Sequence, residues 1–204
     1  MLDSPESITY LGMFDRFNWV TNHQSKISIS GLEDLEEDLI DAKNSRAMLL
    51  SYDDESLSEQ QKITKKIAVF DLNNFIKEEE EFPFHNYPLN QIGGIHLNLV
   101  EFMTDVHPIR NKKEAEAYIE RLDLFDDSYR GTLEFLNEQK KAGIFPPEFV
   151  FDHVIRQLDE FLNFTKKDNP LRKVYIRKIN DLDLEEEDMK ELISQLDESI
   201  QNSV

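Results

Sequence analysis

Imidazoles and carboxylates are the groups in this chain equipped for catalysis or metal binding. The five histidines stand at His23, His85, His96, His107 and His153. A helical zinc site of the H-E-x-x-H type needs two imidazoles one turn apart, so that both reach one ion while the Glu activates its water. None of the five is followed by Glu, and no two are four residues apart. Helical spacing puts His96 and His107 on one face, but the rise between them is roughly 16 Å, too far to share a cation. No Glu-x-x-His occurs either, which removes the di-iron bundle pattern. Each histidine therefore reads as a capping, packing or surface residue. Cysteine and the G-x-S-x-G elbow are absent, as are the phosphate-cradling glycine loops. Carboxylate pairs such as Asp126-Asp127 are expected by chance among 42 acids.

The most distinctive stretch is Phe84 to Gly94, Phe-His-Asn-Tyr-Pro-Leu-Asn-Gln-Ile-Gly-Gly. It sets a proline, amides and a glycine pair between two long helical patterns. Two readings are open. His85, Asn90, Gln91, Gly93 and Gly94 could line a cleft, since glycines allow close backbone approach and amides can bond a peptide main chain. Alternatively, Asn90 and Gln91 satisfy loop backbone groups while Gly93-Gly94 supply a turn before the next helix.

The elements that must carry these residues read as helices. Ser30 with Glu33 forms a capping box ahead of Leu32, Leu35, Leu39 and Ala42, and Ser58 with Gln61 opens a second helix. That second helix has an apolar face of Ile63, Ile67 and Phe70, closed by Phe75 and Ile76. It runs through Glu78–Glu81 and stops before Pro83. Ile95 to Val106 predicts a short helix ended by His107-Pro108. Asn111 with Glu114 caps the next, carrying Ala115, Tyr118, Ile119 and Leu122. A helix from about Asp126 to Ala142 turns Leu133 and Leu136 inward, with Gly143 closing it. Pro146-Pro147 starts another through Val150, Val154, Leu158 and Leu162. Asn169-Pro170 breaks the chain, and a last helix capped by Asp183 carries Met189, Leu192, Ile193, Leu196 and Ile200. No segment alternates like a strand. The expected fold is all-α, an antiparallel multi-helix array with short loops, one helical region over residues 1–204 with a sub-break near 165–183.

Formal net charge is −19, so phosphate backbones and anionic membranes are disfavoured partners. No apolar run approaches the ~20 residues that span a bilayer. The start, Met-Leu-Asp-Ser-Pro-Glu, lacks the features of a signal peptide, which predicts a cytoplasmic chain as it stands.

The order of several motifs adds a resemblance. Ser4-Pro5-Glu6-Ser7-Ile8-Thr9-Tyr10-Leu11-Gly12 comes first, then the helices from Leu32 to near Phe82. His85, Tyr87-Pro88-Leu89-Asn90-Gln91-Ile92-Gly93-Gly94, Glu114-Ala115-Glu116-Ala117-Tyr118 and Gly143-Ile144-Phe145-Pro146-Pro147 follow. Together they closely resemble the N-terminal part of the bacterial domain of unknown function 885 family, over nearly the whole chain. The resemblance implies a larger helical, zincin-like architecture, because members look like zinc metallopeptidases distantly similar to the thermostable carboxypeptidases, and many are lipoproteins. Their metal motif, H-E-x-x-P-G-H with a downstream Glu, lies in the C-terminal half and has no match here.

The resemblance therefore implies a truncated form: a non-catalytic helical scaffold and cleft wall, not an enzyme by itself. No cofactor is expected in this chain, and zinc is expected in the C-terminal half of the parent, which would be its partner. An intact parent would be a cell-envelope lipoprotein. The alternative is a stand-alone acidic module that binds a protein partner through an exposed stripe on the last helix, Leu192, Leu196 and Ile200.

Overall fold

The computed structural model describes residues 4–12, 23–29 and 31–204. Helices and short turns make up the described structure, and no strand occurs among these residues. The chain forms two compact units. The first comprises residues 1–29, 87–130 and 146–204, and the second residues 30–86 and 131–145.

The second unit is built on a hairpin of α2 (Leu32–Ser51) and α3 (Glu59–Glu81). Ser58 and Gln61 form the expected capping box: Ser58 Oγ accepts from Gln61 N at 3.3 Å, and Gln61 Oε1 accepts from Ser58 N at 2.9 Å. The other expected box differs. Ser30 lies outside the described residues, and α2 is capped at Gly31, whose N–H donates to Asp34 Oδ2 at 2.6 Å. Cross-pairs run antiparallel, with Lys43 on Glu80 at 2.6 Å, Arg46 on Asn73 at 3.1 Å and Lys65 on the Tyr52 carbonyl at 2.7 Å. The face of α3 expected to be core stands largely open: Ile63, Ile67 and Phe70 are more than half exposed, whereas Ile76 is buried. Periodicity marks an apolar face, but two helices alone bury only the seam between them.

The helix α6 (Phe125–Ala142) begins in the first unit and ends in the second. Its rotation departs from expectation. Leu133 is 58% exposed while Leu136, as expected, is half-buried, and the polar side chains turned inward in the second unit are Thr132 and Gln139, with Phe135 half-buried between them. Polar satisfaction decides this. Gln139 Nε2 donates to the carbonyls of Phe84 and Asn86, both at 2.6 Å, closing a turn in which Phe84 has φ 67° and meets Phe135 edge-on. Unpaired carbonyls in that turn would cost more than one exposed leucine.

The first unit holds the main core. Between α4 (Ile95–Glu101) and His107 the helix widens into a π turn over Phe102–Val106, with His107 N bonded to the Phe102 carbonyl at 2.9 Å. A single helix through Val106 was expected. The wider turn carries His107 fully into the core, and Lys178 takes up the carbonyls of Thr104 and His107 at 3.1 and 2.7 Å. This also removes the shared helix face expected for His96 and His107. His107 lies against α5 (Lys112–Asp123) and α8 (Pro170–Asn180), and α9 (Glu186–Ser203) packs on these two helices to complete the core. The rings of Tyr118 and Tyr175 meet at a tilt of 54° with centroids 5.0 Å apart, and their hydroxyls donate to the carbonyls of Leu171 and Ala115 at 3.4 and 3.2 Å.

α8 occupies the stretch where the sequence suggested a break. Asn169 caps it, accepting from Leu171 N at 3.0 Å, with Pro170 in its first turn. α9 starts after Glu185 rather than Asp183. Its stripe was expected to stand open, but Leu192 and Leu196 are buried in the core with α5 and α8, and Ile200 packs beside them. Burying an apolar stripe of this kind contributes roughly 1.5–3 kcal/mol per large side chain, so the fold spends it internally.

One buried cation organises the N-terminal segment. Arg121 on α5 is wholly buried, and its guanidinium donates to the carbonyls of Lys26 (2.7 Å) and His23 and to Thr9 Oγ1 (3.1 Å) on α1 (Pro5–Leu11). It also donates to His107 Nδ1 at 2.9 Å and lies 4.9 Å from the Phe102 ring centroid. A guanidinium only donates, so His107 Nδ1 must accept. The imidazole proton then sits on Nε2, directed at the Glu114 carbonyl 3.4 Å away. Burial lowers Arg121 to about 10, so it stays charged at neutral pH.

Candidate functional site

The distinctive loop at 87–94 belongs to the first unit, and Asn90 folds it. Asn90 Oδ1 accepts from the N–H groups of Ile92 and Gly93 at 3.0 and 2.8 Å, while its Nδ2 donates to the Tyr87 carbonyl at 3.1 Å. Gly94 N then bonds the Asn90 carbonyl at 3.1 Å, and Ile95 N bonds that of Pro88 at 2.9 Å, launching α4. Gln91 offers its carbonyl to Gln157 Nε2 at 3.1 Å, which ties the loop to α7 (Glu148–Leu162).

Gly94 is required by a close approach. A Cβ there would meet the Asn90 backbone N and O and His96 Cε1, each at 2.7 Å; at Gly93 the nearest atom is 3.9 Å away. Gly94→Ala is expected to destabilise the first unit by about 1–3 kcal/mol through overpacking. Gly93→Ala is expected to stay within about 0.5 kcal/mol of the parent. Urea unfolding of the two variants side by side tests this, and equal losses would refute the geometry.

Beside this loop lies a groove of about 620 Å³, in the size range of ligand sites. α4 gives Leu97, Val100 and Glu101, and its π turn Thr104; α6 gives Tyr129; α7 gives Gln157, Glu160, Phe161 and Leu162. Burial raises the Tyr129 phenol to about 12, so it remains a neutral hydroxyl. His96 is buried on the same wall, with Nε2 3.0 Å from Gln157 Oε1. Since Gln157 uses its amide N–H on Gln91, its oxygen accepts, and His96 Nε2 carries the proton. His96 Nδ1 is left as a buried acceptor with no hydrogen-bond partner in the structure.

Of the five residues read as cleft-lining, Asn90, Gln91, Gly93 and Gly94 come together in this loop. His85 belongs to the second unit, where its exposed ring points Nδ1 at the Phe82 and Pro83 carbonyls, both 3.2 Å away. The groove residues His96, Gln157, Glu101 and Glu160 were not singled out in the sequence as a site. Three separate segments supply its walls, and no local pattern within any one of them reports the others.

No group of three or more His, Asp or Glu side chains among the described residues converges as metal ligands would. Four of the five histidines are engaged separately: His96 with Gln157, His107 with Arg121, His153 with Arg156, and His85 with its own turn. These residues do not fit a zinc ion. Among the described residues no helix is long and apolar enough to cross a membrane.

A crystal structure of a "putative lipoprotein" from Colwellia psychrerythraea has the same fold, with a TM-score of 0.85 at 20% sequence identity. The match covers 97% of this chain and 35% of that one, so the chain spans about a third of that protein's length. No curated protein matches the chain. The profile of the bacterial protein family of unknown function DUF885 matches residues 5–204, and the chain belongs to that family.

Proposed function

We propose that this chain acts as a helical scaffold that forms one wall of a cleft in a larger, zinc-peptidase-like assembly and has no catalysis of its own. The observation that carries this reading is the lopsided coverage: 97% of the chain lies on 35% of a longer protein of the same fold. The scattered histidines support it, since among the described residues no three His, Asp or Glu side chains come together as a metal ion's ligands must. In this reading zinc and the water-activating Glu come from polypeptide outside this chain, in a segment bearing H-E-x-x-P-G-H. The 87–94 loop is the part of the wall presented to that partner. Attachment to the cell envelope is the location the reading favours, in keeping with the name of the Colwellia psychrerythraea protein.

The test uses the purified chain, alone and co-expressed with the H-E-x-x-P-G-H polypeptide encoded beside it. Alone, it is expected to retain no stoichiometric zinc after dialysis and to turn over no peptide in a mixed-peptide digest read by mass spectrometry. Together, the two are expected to form a one-to-one complex with zinc-dependent hydrolysis. Stoichiometric zinc and turnover by the chain alone, both lost on chelation, would overturn the proposal. So would a genome with no such coding sequence nearby.

A further inference from the structure

The groove beside the 87–94 loop carries a more specific inference. Its floor is apolar, formed by Leu97, Val100 and Phe161, and its edges expose Ile92, Leu162 and Phe164, at 85%, 71% and 47%. Exposed apolar side chains gathered around one concavity mark an interaction surface. Both charged residues lining it, Glu101 and Glu160, are carboxylates, and no lysine or arginine lines it. Neither carboxylate makes an ion pair with the described residues.

An occupant that matches these features is apolar on one side and carries cationic donors along its edge. The walls are helices whose backbone bonds are internal, so no sheet edge is available to pair with an extended strand. A helix laid in the groove is the mode left, with apolar anchors at i, i+3 or i+4, and i+7. We infer that this groove docks a basic amphipathic helix of a partner protein. Its leucine-like side chains would fill the space over Val100 and Phe161, and its Lys or Arg residues would meet Glu101 and Glu160. This goes beyond the scaffold reading and does not depend on it, because the measurement needs no metal-bearing polypeptide.

The probe is a fluorescein-labelled leucine–lysine peptide of about five helical turns, patterned with one apolar face, and read by fluorescence anisotropy with the purified chain. Two controls accompany it: the same peptide with glutamate for lysine, and a leucine–lysine peptide of shuffled order. The patterned basic peptide is expected to bind at on the order of micromolar Kd, and both controls at least about tenfold more weakly. Leu162→Asp and Glu101→Lys are each expected to weaken binding by about tenfold. Leu133→Asp, exposed in the second unit, is expected to leave it unchanged. Equal binding of the patterned and shuffled peptides would mean attraction to the net charge alone and would overturn the inference. So would no binding at all, or a Leu133→Asp loss matching that of Leu162→Asp. Circular dichroism melts of each variant separate lost binding from lost fold.

Discussion

Replacing Arg121 with alanine is expected to destabilise the first unit by about 3–5 kcal/mol, a large share of a typical domain's stability. The guanidinium is the donor for the carbonyls of His23 and Lys26, the Thr9 hydroxyl and His107 Nδ1. Truncating it leaves those acceptors buried and unpaired, at about 1–3 kcal/mol for each that water cannot reach. The damage should be directional. Thr9 belongs to α1, and His23 and Lys26 to the segment that follows, so amide hydrogen exchange should accelerate first at residues 4–12 and 23–29. Arg121→Lys should fall between parent and alanine, because one ammonium cannot span four acceptors set around a planar fork. Urea unfolding combined with exchange mass spectrometry provides the check. An alanine variant within about 1 kcal/mol of the parent, with unchanged exchange in these segments, would refute the clasp.

The second large effect is a loss of stability in mild acid. Burial, with the neighbouring Arg121 charge, lowers His107 from 6.5 to about 3 in the folded chain. Lys178 and His23 add positive charge, the Tyr118 ring is neutral, and only the Glu114 carbonyl favours the protonated form. The folded state thus resists a proton that the unfolded state accepts. Stability from this group is fully present above about pH 6.5 and declines as pH falls toward 3, with a slope approaching 1.4 kcal/mol per unit. Between pH 7 and pH 5 the loss is about 2 kcal/mol. Asp54, held below the usual carboxylate range by its bond to Lys65, and Asp168, by its bonds to Thr165 and Lys173, titrate below that window. Urea midpoints at pH 7 and pH 5 should therefore differ for the parent and converge for His107→Gln. Equal acid sensitivity in both would show that another group takes up the proton.

Local chemistry made much of this fold legible in the sequence. The Ser58–Gln61 box, the stop before Pro83, the Asn111 cap and the Gly143 terminus all rest on bonds within a few residues, and each lies where the sequence puts it. α8 was missed although Asn169-Pro170 is a start signal as well as a break. The Leu171, Tyr175 and Ile179 spacing behind it is helical, and all three are buried. What a pattern cannot report is which faces find cover. The stripe on α9 is buried and the one on α3 is open, yet both read alike. The site follows the same division. The role of Asn90 as a turn-former is a local property of Asn before a glycine pair. The groove depends on α4, α6 and α7 arriving together. The Arg121–His107 clasp joins positions whose nearest sequence neighbours give no sign of each other.

The packing of α9 on α5 has a consequence for biosynthesis. The inner face of α5 emerges from the ribosome long before Leu192 and Leu196, the side chains that seal it. Throughout that interval Tyr118, Ile119 and Leu122 await a distant segment, so the first unit cannot reach its native state on a growing chain and must complete it late. Nascent forms that stop short of α9 should consequently depend on chaperone protection, whereas the α2–α3 hairpin, closed by near neighbours, can assemble as it appears.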